Sequence, residues 1–194
     1  MTPNDDTRAA SWSVIQDLRA GGACEKGLAW LTKRASIADA WRRCERPDWL
    51  LYAAAELGAN LDELARASIA CADVALAAVR HKLRPGLSPK LRRLQALSRR
   101  ALSGRGNVLG EHMAATSELA HMDRSLDAIV DRDIRCACLS AARAVYASTS
   151  FHARECVDCC AGGMRFAGGS APRSLRRALC AAIRAHVTRP SIHR

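Results

Sequence analysis

The chain reads as an all-α protein, a single-domain bundle of about seven to nine helices with an Ala/Leu-rich core. Three observations predict it. Apolar residues make up 49% of the 194 residues and are mainly Ala and Leu, whereas aromatics make up 4%. Small and unbranched side chains favour helices and let them approach closely, while sheets draw on β-branched and aromatic residues. Between breaks marked by Gly and Pro, the apolar positions recur at helical spacing, and the length suits one domain.

The elements follow in order. Thr7 reads as the cap of a first helix over residues 8–19, closed by Gly21–Gly22. A second covers residues 23–34, with Ala23, Gly27, Trp30 and Leu31 on one face. Ser36-x-x-Asp39 resembles a capping box, Asp replacing the usual Glu, and opens a short helix through Trp41 and Cys44. Pro47 starts a fourth helix, where its missing N–H costs nothing, and Gly58 stops it. Asn60 caps a long helix to about Lys82, and Arg84-Pro85-Gly86 breaks it. Ser88 as cap and Pro89 in the first turn begin the next, which Gly104 and Gly106 end. From Glu111 to Ala161 there is neither Gly nor Pro, about 75 Å of unbroken helix at 1.5 Å per residue. That exceeds a compact domain, so a break is expected near 123–125 or 131–133, where short polar side chains compete for backbone groups. Gly162, Gly163, Gly168 and Gly169 form a loop, a last helix covers residues 173–187, and a loose tail follows Pro190.

Net charge is +11, and its layout matters more than its sum. Between Asp73 and Glu111 stand nine basic residues and no acid: Arg80, Lys82, Arg84, Lys90, Arg92, Arg93, Arg99, Arg100 and Arg105. After Asp158 come seven further arginines, again with no acid. Such segregation points to a polyanion or an acidic protein surface as partner; a merely solvated basic surface is the alternative. On the helix after Pro89, Arg92, Arg93, Arg99 and Arg100 fall along one side, and Leu91, Leu94, Leu97 and Leu102 form the opposite, core-facing stripe. Phosphate contacts from that side would bind nucleic acid without sequence preference and with strong salt dependence. Base stacking is not expected, because no aromatics interleave with the cations.

No apolar run approaches the length of a membrane span, and the polar, acidic start from Met1 to Asp6 is the reverse of a signal peptide. A cytoplasmic protein with no membrane partner is expected. Nine cysteines scattered through Ala-rich helical segments then read as reduced thiols used as small hydrophobes, rather than as a disulfide framework.

Candidate chemistry is sparse, and no cofactor is expected. His152, Cys156, Cys159 and Cys160 fall on one helical face at i, i+4 and i+7 or i+8, a spacing compatible with metal ligation. A structural zinc ion prefers four ligands, so Cys136 or Cys138 would have to complete the set; plain apolar core is the alternative. Glu118-x-x-His121 has the spacing of a di-iron helix, but the second copy that this chemistry needs is missing and His112 does not supply it. There is no Gly-x-Ser-x-Gly elbow and no Gly-x-x-x-x-Gly-Lys loop; Gly104-Arg105-Gly106 is too short to cradle a phosphate. Met164, Arg165 and Phe166 stand between two Gly pairs, as a helix connection or a small recognition loop.

Residues 24–58 carry a pattern of their own. Cys24, Leu28 and Trp30 form a Cys-x-x-x-Leu-x-Trp helix, followed by Ala40, Trp41, Cys44, Arg46, Asp48, Trp49, Leu50 and Leu51 in an Ala-Trp-x-x-Cys-x-Arg-x-Asp-Trp-Leu-Leu segment. This resembles the opening of the Imm-5-like immunity proteins, small helical proteins of bacteria and their phages. The likeness weakens through residues 69–85, and beyond about residue 105 only Ala-rich helical character remains. Family members typically have Gly where Pro47 stands and, often, Trp where Tyr52 stands; both changes suit a helix start and its buried face. Read from the residues alone, Trp30, Trp41 and Trp49 are large apolar bodies that lock the first four helices together, and Asp48 favours its helix N-terminus and pairs with Arg46 or Arg43. The motif is scaffold on this reading, with an interface hot spot as the alternative.

The resemblance implies a non-enzymatic inhibitor that neutralises a toxin, effector or defence complex by direct contact. The two acid-free segments imply, as the alternative, a basic and phage-encoded protein that binds nucleic acid or blocks a nucleic-acid-targeting defence complex in the manner of an anti-CRISPR protein.

Overall fold

The computed structural model of the chain describes residues 3–83, 85–104, 110–111, 113–114, 117–118, 121, 135, 137–141, 144 and 171–188. Among them the elements are α1 (Pro3–Ala20), α2 (Glu25–Leu31), α3 (Ile37–Arg43), α4 (Pro47–Glu56), α5 (Leu61–Val79), a 3-10 turn (Arg80–Lys82), α6 (Leu87–Leu102) and α7 (Arg173–His186). The all-α class is as the composition predicts. The expected break within 111–161, the glycine loop at 162–169 and the tail after Pro190 lie outside the described residues.

Local chemistry explains most boundaries. Ser36 Oγ accepts a hydrogen bond from Asp39 N at 3.1 Å, capping α3. The Asp39 carboxylate turns to Arg43 Nε at 2.7 Å instead of closing a capping box, because its side chain is one carbon shorter than Glu. Asn60 and Glu63 form a complete box at α5: Asn60 Oδ1 accepts from Glu63 N at 2.8 Å, and Glu63 Oε2 accepts from Asn60 N at 3.3 Å. Pro47 opens α4, as expected. Gly22 (φ 91°) and Gly58 (φ 83°) take the left-handed conformation that turns the chain after α1 and α4.

Two predicted caps are wrong. Thr7 lies inside α1, which starts at Pro3. Pro tolerates a first turn, so the helix extends toward the terminus past an acceptable cap. Ser88 lies inside α6; Gly86 is the N-cap, with no side-chain hydrogen bond. Pro89 remains in the first turn, where its lack of an N–H costs no intrahelical hydrogen bond. α2 is also shorter than the predicted 23–34, and α5 tightens into the 3-10 turn before Lys82.

α5 is the central strut. Its buried residues, Leu64, Ala65, Ala67, Ser68, Ile69, Cys71, Ala72, Ala75, Leu76 and Val79, surround much of its circumference. One face packs with Leu91 and Leu94 of α6 and with Ala137, Cys138, Ala141 and Ala144. Another meets Leu50, Leu51 and Ala54 of α4, and Leu179, Cys180 and Ile183 of α7. Ala and Cys at these contacts keep side-chain volume low, which lets helix axes approach closely. A separate cluster joins Val14, Ile15 and Leu18 of α1 to Leu28 of α2. The predicted stripe of α6 faces inward: Leu91, Leu94 and Leu97 are buried and Leu102 is half-buried.

α7 is latched to the turn between α3 and α4 by its arginines. Arg173 Nε and Arg177 Nε each lie 2.8 Å from the Glu45 carboxylate. Arg184 donates to Trp41 O at 3.0 and 2.7 Å and to Cys44 O at 2.6 Å. Those carbonyls end α3 and have no acceptor role within it, so the guanidinium acts as a C-cap supplied from another helix.

The two guanidinium groups hold the Glu45 carboxyl down to about 2, from an ordinary 4.5. A depressed folded-state pKa contributes stability above the unfolded value and loses it as pH falls through the folded one. Wild type should therefore melt higher than Glu45→Gln at pH 6, and the gap should close between about pH 4.5 and 2. Paired thermal melts across that range check this; a gap that does not change with pH would refute the latch.

Candidate functional site

The motif of residues 24–58 gathers around one cavity. Its volume is about 300 Å3, and α1 to α4 with their turns wall it in: Val14 and Leu18 from α1, Leu28, Trp30 and Leu31 from α2, Ile37, Ala40 and Trp41 from α3, Trp49, Leu50 and Ala53 from α4. Nine of the eleven motif residues line it; Leu51 is fully buried beneath, and Arg46 lies over the Trp49 ring. The helical period explains the convergence. Residues 24, 27, 28 and 31, from the N-cap of α2 to its end, share one face, as do 49, 50, 53 and 57 from α4 into its C-cap, and Trp30 reaches the same opening from the flank of the α2 face.

Trp30 and Trp49 stand with ring centroids 6.0 Å apart and planes tilted by 54°, within the range of favourable aromatic pairs. A guanidinium stacks on each: Arg34 lies 4.3 Å from the Trp30 centroid, and Arg46 lies 4.8 Å from that of Trp49. Trp41 is different. It is buried in the core shared by α4, α5 and α7, so it ties the motif to α7 as well as to the first four helices.

Asp48 is 5% exposed and takes both of its hydrogen bonds from Arg46, Nε to Oδ1 at 2.9 Å and Nη2 to Oδ2 at 2.6 Å. Of the two predicted partners it is thus Arg46 that pairs with Asp48; Arg43 goes to Asp39. The fork geometry lets one guanidinium satisfy a carboxylate that burial would otherwise leave unpaired. Cys44 Sγ donates to Arg46 O at 3.4 Å, and burial pushes its thiol up to about 11. Desolvation likewise raises Cys138 and Cys180 to about 12. Cys44, Cys71, Cys138 and Cys180 are buried free thiols, whereas Cys24 is exposed at the cavity. Tyr52 Oη donates to Gly21 O at 2.5 Å and closes the α1 side.

The basic face is less open than its sequence. Arg93 pairs with Glu118 at 2.9 Å, Arg99 with Asp73 at 2.6 Å and Arg100 with Glu111 at 3.7 Å. Asp73 also accepts from Gln95, so it clamps α5 to α6. Arg80, Lys82, Lys90 and Arg92 are exposed; Arg84 and Arg105 lie outside the described residues. The second acid-free segment departs further from expectation, since its Arg173, Arg177 and Arg184 join α7 to the core. A segment free of acids in sequence still meets acids in space.

The metal candidates His152, Cys156, Cys159 and Cys160, and Cys136, lie outside the described residues. Cys138 packs among Ala137, Ala141 and Ala144 in the α5–α6 core. Among the described residues no group of His, Cys, Asp and Glu is placed to hold a metal ion. Glu118 of the Glu-x-x-His pair is engaged by Arg93. One residue escaped the sequence reading: Trp12 is 60% exposed on α1. At 100° per residue it lies about a third of a turn from the centre of the Val14, Ile15 and Leu18 stripe, which was the available signal.

No helix among the described residues is long and apolar enough to cross a membrane. No family model matches the chain, and no curated protein or solved structure matches it.

Removing Arg46 leaves a buried carboxylate without its counter-ion. Arg46→Ala should destabilise the chain by about 2–3 kcal/mol, below the ~3–5 of a fully buried pair because Arg46 is part-exposed. Asp48→Asn in the same chain should restore at least half of the loss. Urea unfolding of the three variants checks both, and failure of the second change to rescue would mean that Arg46 acts by packing alone.

Proposed function

We propose that this chain is a non-enzymatic binding protein of the immunity type, which works in the cytoplasm of a bacterial or phage-infected cell and neutralises a toxin or effector by direct protein–protein contact. The observation that carries this reading is the clustering of the motif that resembles the Imm-5-like proteins. Its tryptophans and arginines stand together, with Trp30 and Trp49 half-buried and each stacked by a guanidinium. Trp and Arg are the residue types that dominate binding hot spots. Exposed Trp12 on α1, the helix that walls the same cavity, supports it too. The acidic groups Asp39, Glu45, Asp48 and Asp73 are each engaged in an ion pair, within α3, to α7, at the start of α4 and to α6 respectively, which suits a scaffold presenting a surface.

Co-expression with toxins encoded beside this gene tests it. Growth should be restored, and Trp12→Ala should weaken the purified complex by on the order of 2 kcal/mol, about 30-fold. Absence of rescue, together with a tagged full-length chain that retains no protein partner, would overturn the reading.

A second reading is favoured by Arg80, Lys90 and Arg92, exposed and without an ion pair among the described residues. They would support backbone binding to nucleic acid. Three such contacts give a slope of about −3 in log affinity against log salt on duplex DNA. Binding that does not weaken between low and high salt would dispose of this alternative.

A further inference from the structure

We propose that the cavity walled by α1 to α4 is a binding site for a compact aromatic anion, about the size of a bicyclic carboxylate. This does not depend on the protein partner proposed above.

Volume sets the size. The cavity holds about 300 Å3, roughly twice the ~150 Å3 cavity that takes up benzene, so two fused rings fit. The walls set the shape. Trp30 and Trp49, tilted at 54° and 6.0 Å apart, offer both ring faces and ring edges to a flat occupant. Their surroundings are aliphatic, and the polar groups beside them are already spent: both Asp48 oxygens on Arg46, and the Tyr52 hydroxyl on Gly21 O. An apolar body therefore enters without leaving a buried polar group unsatisfied.

Charge sets the sign. Arg46, stacked on Trp49, is balanced by Asp48. Arg34, stacked on Trp30, has no carboxylate among the described residues, and its Nε is buried with no hydrogen-bond partner there. The tryptophan pair thus carries one uncompensated positive charge in a partly desolvated setting, which favours an occupant with a single negative charge. Cys24, exposed and lining the cavity, marks the way in.

The pair 2-naphthoate and 2-naphthol, which share the bicyclic ring and differ in charge at neutral pH, tests the proposal by calorimetric titration into the full-length chain. Naphthoate should bind saturably at one site, roughly two- to fivefold tighter than naphthol. Saturating naphthoate should slow alkylation of Cys24 by iodoacetamide, read by peptide mass spectrometry. Arg34→Gln should bring the two affinities together, and Ala53→Trp, which fills the cavity from α4, should abolish binding of both. No saturable binding of either compound at millimolar concentration would overturn the site, as would binding that survives Ala53→Trp. Equal affinity for the pair in wild type would overturn the preference for an anion. Where Ala53→Trp does not fold, the wild-type chain decides: an unchanged rate of Cys24 alkylation under saturating naphthoate refutes the site.

Discussion

The turn from Cys44 to Asp48 has to satisfy more polar groups than its own backbone can, and the rest of the described structure is arranged around that demand. α3 ends with unpaired carbonyls at Trp41 and Cys44, and Arg184 reaches from α7 to take them. Glu45 collects two further arginines of the same helix. Arg46 closes on buried Asp48, and Pro47 launches α4 without needing an acceptor for its missing N–H. Five consecutive residues thus connect two short helices to a third that lies more than 120 positions away in the chain. A helix of seven residues is marginal alone, and these contacts explain how α3 persists.

The same arrangement accounts for the chemistry of the region. Once Arg46 has neutralised Asp48, the remaining neighbours of the cavity are rings, aliphatic side chains, the exposed Cys24 and the Cys44 thiol, which burial holds neutral. An environment of that kind suits an occupant matched in shape and apolar surface. Among the described residues, positive charge comes to the cavity's tryptophans from the guanidiniums stacked on Trp30 and Trp49.

α5 plays a different part. It is apolar on two faces, and its Ala and Cys side chains allow α4 and α7 on one side and α6 on the other to approach its backbone. The charged residues at its margins act between helices: Asp73 holds Gln95 and Arg99 of α6, and Glu63 caps α5 while accepting from Thr188 beyond α7. Many cations that look solvated along the chain are therefore internal fasteners.

Local information was legible without a structure. Ser36 and Asn60 as caps, Pro47 as a helix start, the inward stripe of Leu91, Leu94 and Leu97, and the all-α class follow from short-range hydrogen bonding and helical periodicity. Thr7 and Ser88 misled because a cap competes with whatever turn can form before it, and Pro3 and Gly86 each allowed an earlier start. The motif of residues 24–58 was visible as a pattern, but its cavity was not, since periodicity gives the face of each helix and says nothing of the distance between two faces. Charge was the least legible. The arginines of α7 share no acid within their own segment, and only the folded path of the chain carries Glu45 to them. Sequence by itself determined helices, their faces and most of their ends, because those depend on neighbours within four residues. Tertiary structure alone decided which cations are paired and that the tryptophans surround a space, because Coulomb forces and packing act between residues that the chain keeps far apart.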